Sequence, residues 1–233
     1  MKRLETHTIT ATLTLVSGAR IGGSDDVLQI GGTDLTCIKD PASGKPYIPG
    51  SSLKGKVRSS LEKSDGSAEG MNPSKRGPVA RVFGPHFDSK HQEGPTRVRF
   101  HDAQLQSDSQ FTLELKTESV NNRQTGTAMH PRTLERVAPG AKFNLRVDFD
   151  VYDMDVEKGR EFTYTDLDRK QHKGREAILQ IINDGLDLLC QSGIGSGTSR
   201  GYGQIEITDD KLSVPKRRPR LKFDDNASSG ANP

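Results

Sequence analysis

Cysteine is nearly absent. Cys37 and Cys190 are the only two in 233 residues, and neither lies in a CxxC or a Cys/His cluster. That argues against a structural zinc site and against a disulfide-stapled scaffold. No apolar run reaches the roughly eighteen residues that a membrane-spanning helix needs. The opening stretch MKRLETHTIT has no apolar signal region, so the expectation is a cytoplasmic protein that does not touch the membrane. A GxSxG motif is missing, and no Cys–His pair is recognisable, so acyl transfer has no support. Apolar side chains are also scarce, at 31%, while charged residues reach an ordinary 28%. The chain should therefore be a globular core carrying generous polar loops.

The charges that are present nearly cancel, leaving a formal net of +3. They are not evenly spread. KGKVR at 54–58, RVR at 97–99 and KRRPRLK at 216–222 are basic clusters, which suggest a localised anion-binding surface.

Along the chain, TITATLTLV at 8–16 alternates, with Ile9, Ala11, Leu13 and Leu15 on one side and threonines on the other. That predicts a half-buried strand. A long Gly/Asp/Pro-rich segment, 17–50, follows; an irregular stretch of that length inside a domain is usually functional or disordered. Helical spacing of Leu53, Val57 and Leu61 begins after Pro49, with Gly50-Ser51-Ser52 expected to cap it. Residues 64–95 read as a mobile insertion containing a short helix that ends at Gly84. Segments 97–105 and 111–115 read as strands, and 116–140 as polar and irregular. Phe143, Leu145, Val147, Phe149 and Val151 alternate as a further strand, 175–190 has helical spacing, and a last strand covers 204–208.

The coarse order is βαββαβ, which predicts an α+β fold: a single decorated ferredoxin-like (RRM-like) domain with an antiparallel sheet. Residues 1–213 would form this palm, with 17–50, 64–95 and 116–140 as decorations and 214–233 as a loose basic and polar tail.

Three segments carry chemistry. Gly50-Ser51-Ser52-Leu53-Lys54-Gly55-Lys56-Val57-Arg58 places two hydroxyls and three cations at a helix start, a setting that favours phosphate. It is not a Walker A loop, because the GxxxxGK[ST] pattern fails. Gly193–Gly203, GIGSGTSRGYG, holds five glycines whose amides could form a phosphate nest, with Arg200 as a fork donor and Tyr202 as a possible stacking ring. Asp25, Asp26, Asp34 and Asp40 punctuate the first long loop, where carboxylates could hold a divalent ion, although Asp in loops is mostly turn chemistry. Of the histidines, His101 beside Asp102 and His130 before Pro131 are the more notable, and structural readings win for both.

Taken together, Ile21-Gly22-Gly23-Ser24-Asp25, Lys39-Asp40-Pro41, Ile48–Arg58, Arg81-Val82-Phe83-Gly84, Arg99-Phe100-His101-Asp102-Ala103, Thr117-Glu118, Asn122-Arg123, Pro131-Arg132, Glu135-Arg136-Val137 and Gly195–Gly203 resemble, in that order, the RAMP superfamily of CRISPR systems. The resemblance spans about residues 6–208 and is nearest to the Cas seven group, in particular the repeated backbone subunit of type III (Csm-like) effector complexes.

That resemblance implies an RRM-like palm on crRNA, copies stacked in a helical filament with other type III effector subunits, and a thumb-like hairpin inserted into the guide–target duplex. It also implies cleavage of target RNA once per subunit with Mg²⁺ or another divalent metal, in antiviral defence. By position before Lys39-Asp40-Pro41, the catalytic and metal-binding aspartate is Asp34. Ser51, Ser52, Lys54, Lys56 and Arg58 would contact the guide backbone, as would Gly195, Gly197, Ser199, Arg200 and Gly201. Asn122, Arg123 and Met129 would belong to the thumb, with Met129 wedged against a base step. The alternatives are a non-catalytic crRNA-binding scaffold, which would be expected to lack an acid at 34, and a crRNA-processing nuclease, which usually needs two tandem ferredoxin-like domains.

Overall fold

The computed structural model describes residues 1–22, 35–68, 70, 72–85 and 93–208. Its centre is a six-stranded antiparallel sheet. Strand β1 (Arg3–Leu15) runs against β7 (Lys142–Tyr152), pairing Thr6 with Asp150 at one end and Thr14 with Lys142 at the other. On the far side of β1 lies β10 (Ile205–Thr208); on the far side of β7 lie β3 (Val98–Phe100) and β4 (Ala103–Leu105), and β2 (Tyr47–Ile48) closes the edge. The path through the sheet is β10–β1–β7–β4–β2, with β3 also on β7.

The two-residue alternation decides which face is covered. Ile9, Leu13 and Leu15 of β1 and Phe143, Leu145, Val147 and Phe149 of β7 are all buried on one face. Helix α1 (Gly50–Asp65) lays Leu53, Val57 and Leu61 onto that face, and α4 (Gly174–Ser192) adds Ile178, Ile181, Ile182 and Leu189. The two helices pack closely because α4 carries Gly185 at the contact: a Cβ there would meet Val57 Cγ1 at 2.5 Å. Shorter pieces complete the fold: α2 (Gly77–Phe83), α3 (Asp153–Val156) and a hairpin of β8 (Thr163–Thr165) and β9 (Gln171–Lys173).

Three expectations need correction. The single strand expected over 97–105 is two strands, β3 and β4, interrupted at His101 and Asp102. The segment 116–140 is not irregular: β5 (Leu113–Asn121) and β6 (Ala128–Val137) form a two-stranded ribbon, separate from the central sheet. Its polarity follows from standing in solvent with both faces partly wet, and opposite pairs such as Thr117–Thr133 knit it together. Finally, the insertion 64–95 is anchored where it is described. Ser74 donates from its amide and hydroxyl to buried Glu62, and α2 packs Val79, Val82 and Phe83 into the core.

Candidate nucleic-acid interface

Three pieces of chain meet at one end of the covered face. Residues 17–22 extend β1, the N-terminal turn of α1 stands beside them, and the glycine loop 193–203 lies alongside. Ser196 N donates to Arg20 O at 3.0 Å, Gly203 N to Gly18 O at 3.0 Å, and Ile194 N to Gly203 O at 2.9 Å. The glycines make these approaches possible. Gly195 has φ +74° and its Cβ would sit 2.2 Å from Arg20 O; Gly203 has φ +65° and its Cβ would sit 1.9 Å from Ile194 O.

Between these pieces lies a cavity of about 290 Å³. Ile21, Ile48, Leu53 and Ile194 form its floor, and Ser52, Lys56 and Ser196 its polar rim, with the backbones of Gly22 and Gly195 completing the lining. The structure thus brings together three of the sequence-predicted contacts, Ser52, Lys56 and Gly195. Ile21, Gly22 and Ser196 join them; the IGG turn and the glycine loop were visible as motifs, but nothing in the sequence said that they touch.

The start of α1 differs from expectation. Its cap position is Pro49, and neither serine caps it. Asp102, from the β3–β4 break, accepts from Gly50 N at 2.7 Å and satisfies the helix end instead. Ser51 and Ser52 are thereby left exposed in the first turn. Gly50 is required at this point, since a Cβ there would lie 2.3 Å from Phe100 O.

The cations divide. Lys56 reaches the cavity rim. Lys54 is half-buried; burial, then the nearby Arg58 charge, push its ammonium pKa down. Arg58 is turned into the fold: Nε donates to Glu62 at 2.8 Å, Nη1 to Gly84 O at 2.7 Å and Nη2 to Ser74 O at 2.8 Å. Arg97, from the second basic cluster, is wholly buried against Asp155 at 2.9 Å. Both guanidinium groups are thus engaged by partners within the fold.

The other arm of the glycine loop holds Gly197, Ser199, Arg200 and Gly201 beside the middle of the ribbon, where Arg200 lies 3.5 Å from Glu118. Ser199, Arg200 and Gly201 are exposed, and Gly201 O accepts from Ser17 Oγ at 2.8 Å. Tyr202 is not the open stacking ring that its place in the motif suggested. It is buried, its hydroxyl donates to Glu118 Oε1, and Lys116, Arg136 and Arg200 lie 4.4, 5.0 and 5.9 Å from its ring centre. The Tyr202 hydrogen bond, with Arg200 and Arg132 nearby, holds the Glu118 carboxyl below the usual carboxylate range.

At the far end of the ribbon, Asn122 Oδ1 accepts from Gln124 N and Thr125 N and shapes the turn. Arg123 is exposed there. Met129 stands opposite Val120, and both are open to solvent, at 39% and 66%. Val120 is an apolar tip residue that a search for charged contacts passes over.

Asp25, Asp26 and Asp34 lie outside the described residues. What is described is the chain's return from that loop. Leu35 O accepts from Glu135 N at 2.8 Å, Leu35 bridges Leu134, Gly22 bridges Cys37, and Lys39 Nζ pairs with Glu135 at 2.9 Å. Among the described residues no three His, Cys, Asp or Glu side chains come together to hold a metal ion. The described part of the site therefore offers no donor set for a divalent ion. Among the described residues, too, no helix is long and apolar enough to cross a membrane.

An antiparallel sheet covered by helices on one face, with a hydroxyl- and lysine-rimmed groove at one end and a projecting ribbon beside it, defines a mixed α and β domain with a polar groove. The family follows from comparison. The RAMP superfamily model matches residues 12–206, and the chain belongs to that superfamily. It is 35% identical over 228 residues to the CRISPR system Cms endoribonuclease Csm3 of Methanocaldococcus jannaschii, covering 92% of this chain and 82% of that protein. It is 33% identical over 203 residues to the protein of the same name from Streptococcus thermophilus, covering 84% of each. Its fold is shared, at a TM-score of 0.56 and 22% identity, with a chain of a type III-B Cmr-beta complex bound to cognate target RNA; the match covers 88% of this chain and 60% of that one.

Proposed function

We propose that this chain is the crRNA-binding backbone subunit of a type III CRISPR effector complex and that it cuts complementary target RNA at regular intervals. The observation that carries the reading is the 35% identity to a Csm3 endoribonuclease across 92% of the chain. The palm is read as ferredoxin-like. In support, β10, β1, β7 and β4 follow one another antiparallel across the sheet while α1 and α4 cover a single face.

The guide backbone runs over the first turn of α1 and the glycine loop. Ser52, Lys56 and the Gly195 amide line the groove, Ser51 and Lys54 flank it, and Gly197, Ser199, Arg200 and Gly201 continue the path toward the ribbon. Such contacts are to phosphate and sugar and leave sequence to base pairing. Arg58 is omitted from this set because its guanidinium is held by Glu62, Ser74 and Gly84. The ribbon is the thumb, with Asn122, Arg123 and Met129 at its tip, and further copies of the chain and other type III subunits complete the assembly. Asp34 is the catalytic residue and the ligand for the divalent ion.

The experiment is target-RNA cleavage by the assembled complex with Mg²⁺ and with EDTA, comparing wild type with Asp34→Ala. Regularly spaced products that disappear in the variant and with EDTA, at unchanged crRNA binding, are expected. Cutting retained in Asp34→Ala, or crRNA binding lost with it, overturns the assignment.

A further inference from the structure

The helix-free face of the central sheet has no part in the function proposed above, yet it is built with care. Its cross-strand rows run Thr208–Thr12–Asn144–Gln104–Tyr47, then Thr10–Arg146, then Thr8–Asp148–Arg99. Between the Thr6–Asp150 and Thr14–Lys142 pairs the described residues put no aliphatic side chain on this face, and its rings are Tyr47 at the edge and the His101 imidazole beside Asp148.

Two carboxylates lie under this surface, Asp148 at 6% and Asp150 at 2% exposure. Arg146 donates to both oxygens of Asp148 at 3.1 and 3.2 Å, Thr8 Oγ1 donates to it at 2.8 Å, and His101 Nε2 lies 2.8 Å away. Burial would raise the Asp148 carboxyl, but these hydrogen bonds outweigh it and hold it at about 2. Asp150 accepts from Arg99 and from Thr6 Oγ1. The cations lie on top, with the Arg146 and Arg99 side chains 55% and 43% exposed. Solvent therefore meets oriented guanidinium groups and a row of hydroxyls, with the Asp148 and Asp150 carboxylates beneath and one exposed carboxylate, Glu206, at the corner opposite Thr14.

This surface suits one kind of partner. A protein interface of standard size has an apolar centre with aromatic anchors, which this face lacks. Nucleic-acid interfaces are polar and cationic. One tyrosine at the edge and one imidazole already bonded to Asp148 do not make a platform for successive bases, so the contacts available are to phosphate and sugar.

We propose that the open face of the central sheet is a second RNA-binding surface, engaging the backbone of single-stranded RNA without sequence preference. Asp148 and Asp150 are positioning residues that fix the arginines.

Thr10 gives a clean test: it is exposed, faces Arg146, and holds no buried partner. The full-length protein is titrated with a labelled mixed-sequence 20-nucleotide RNA, using Thr10→Glu and Thr10→Lys, with circular dichroism to verify folding. Thr10→Glu is expected to weaken binding roughly five-fold at low salt and Thr10→Lys to strengthen it, both effects fading as salt rises. Photo-crosslinks are expected on peptides from 5–15 and 142–152 as well as from 193–203, and those on the sheet persist in Lys56→Ala. Equal affinity of both folded variants, or crosslinks confined to the groove, overturns the proposal. So does a Thr10→Glu variant that binds RNA normally but fails to join its partner subunits, which would make the face a protein interface. Failure of the Asp34 reading leaves this result untouched, because binding alone is measured.

Discussion

The glycine loop and the ribbon sit side by side, and they differ in how far backbone bonds to the palm reach along them. The loop is fixed through its backbone: Gly195 and Gly203 press directly on Arg20 O and Ile194 O, and the amides of Ser196 and Gly203 pair with residues 18–20. Little of that depends on side chains. The ribbon is laddered within itself, Arg136 pairing with Glu114 across it; its root joins the palm through the backbone pair Val137–Ala19, and beyond that root Tyr202 and Arg200 take up Glu118 by side chains alone. Backbone anchoring yields a surface with one geometry, suited to clamping a repeating polyanion. Side-chain contacts beyond a backbone-fixed root leave a projecting element that can be loosened from the palm without unfolding the domain.

The sharpest way to break this contrast is Gly203→Ala. The new methyl collides with Ile194 O at 1.9 Å on a residue with φ +65°, so a loss of about 3 kcal/mol or more in denaturant unfolding is expected. A loss below about 1 kcal/mol would mean that the loop yields easily. Next comes Tyr202→Phe, which keeps the ring among its three cations and removes only the hydroxyl bound to Glu118. A cost of about 1 kcal/mol is expected, with faster amide exchange confined to 113–121 and 128–137; exchange rising equally in the glycine loop would show that the two regions are one unit. The smallest effect belongs to the tip. Met129→Ala should alter stability by no more than about 0.5 kcal/mol while reducing the unstacking of a fluorescent base in the guide–target duplex. A large stability loss would place Met129 in the fold and not in the working end proposed for the ribbon.

Much of the palm was legible. The alternation in 8–16 and 142–151 gave both central strands, and Leu53, Val57 and Leu61 gave the inner face of α1. The ribbon was not legible from periodicity, because a strand pair standing in solvent has no apolar alternation to announce it; only the family resemblance pointed to a hairpin there. The glycine loop was visible but its physics was misread: glycine suggested room for a ligand, and at 195 and 203 it is room for the protein's own carbonyls. Sequence proximity also misled. His101 and Asp102 are neighbours in the chain, yet one turns to Asp148 on the open face and the other to the amide of Gly50. Arg58 looked like its lysine neighbours until Glu62, four residues on, was found to hold it.

Leu35 is joined by backbone hydrogen bonding to the root of the ribbon, at Leu134 and Glu135. From Leu134 to the tip at Ala128 is strand, roughly 20 Å at the usual rise per residue. The residue that follows Asp34 and the turn that carries Arg123 are therefore the two ends of one stiff strut. If the ribbon tilts, both travel together. An event at the tip and an event beside Leu35 are thus kept in fixed register by the length of a β-ladder, a spacing that side-chain substitution leaves alone and that only an insertion or deletion in the strand would reset.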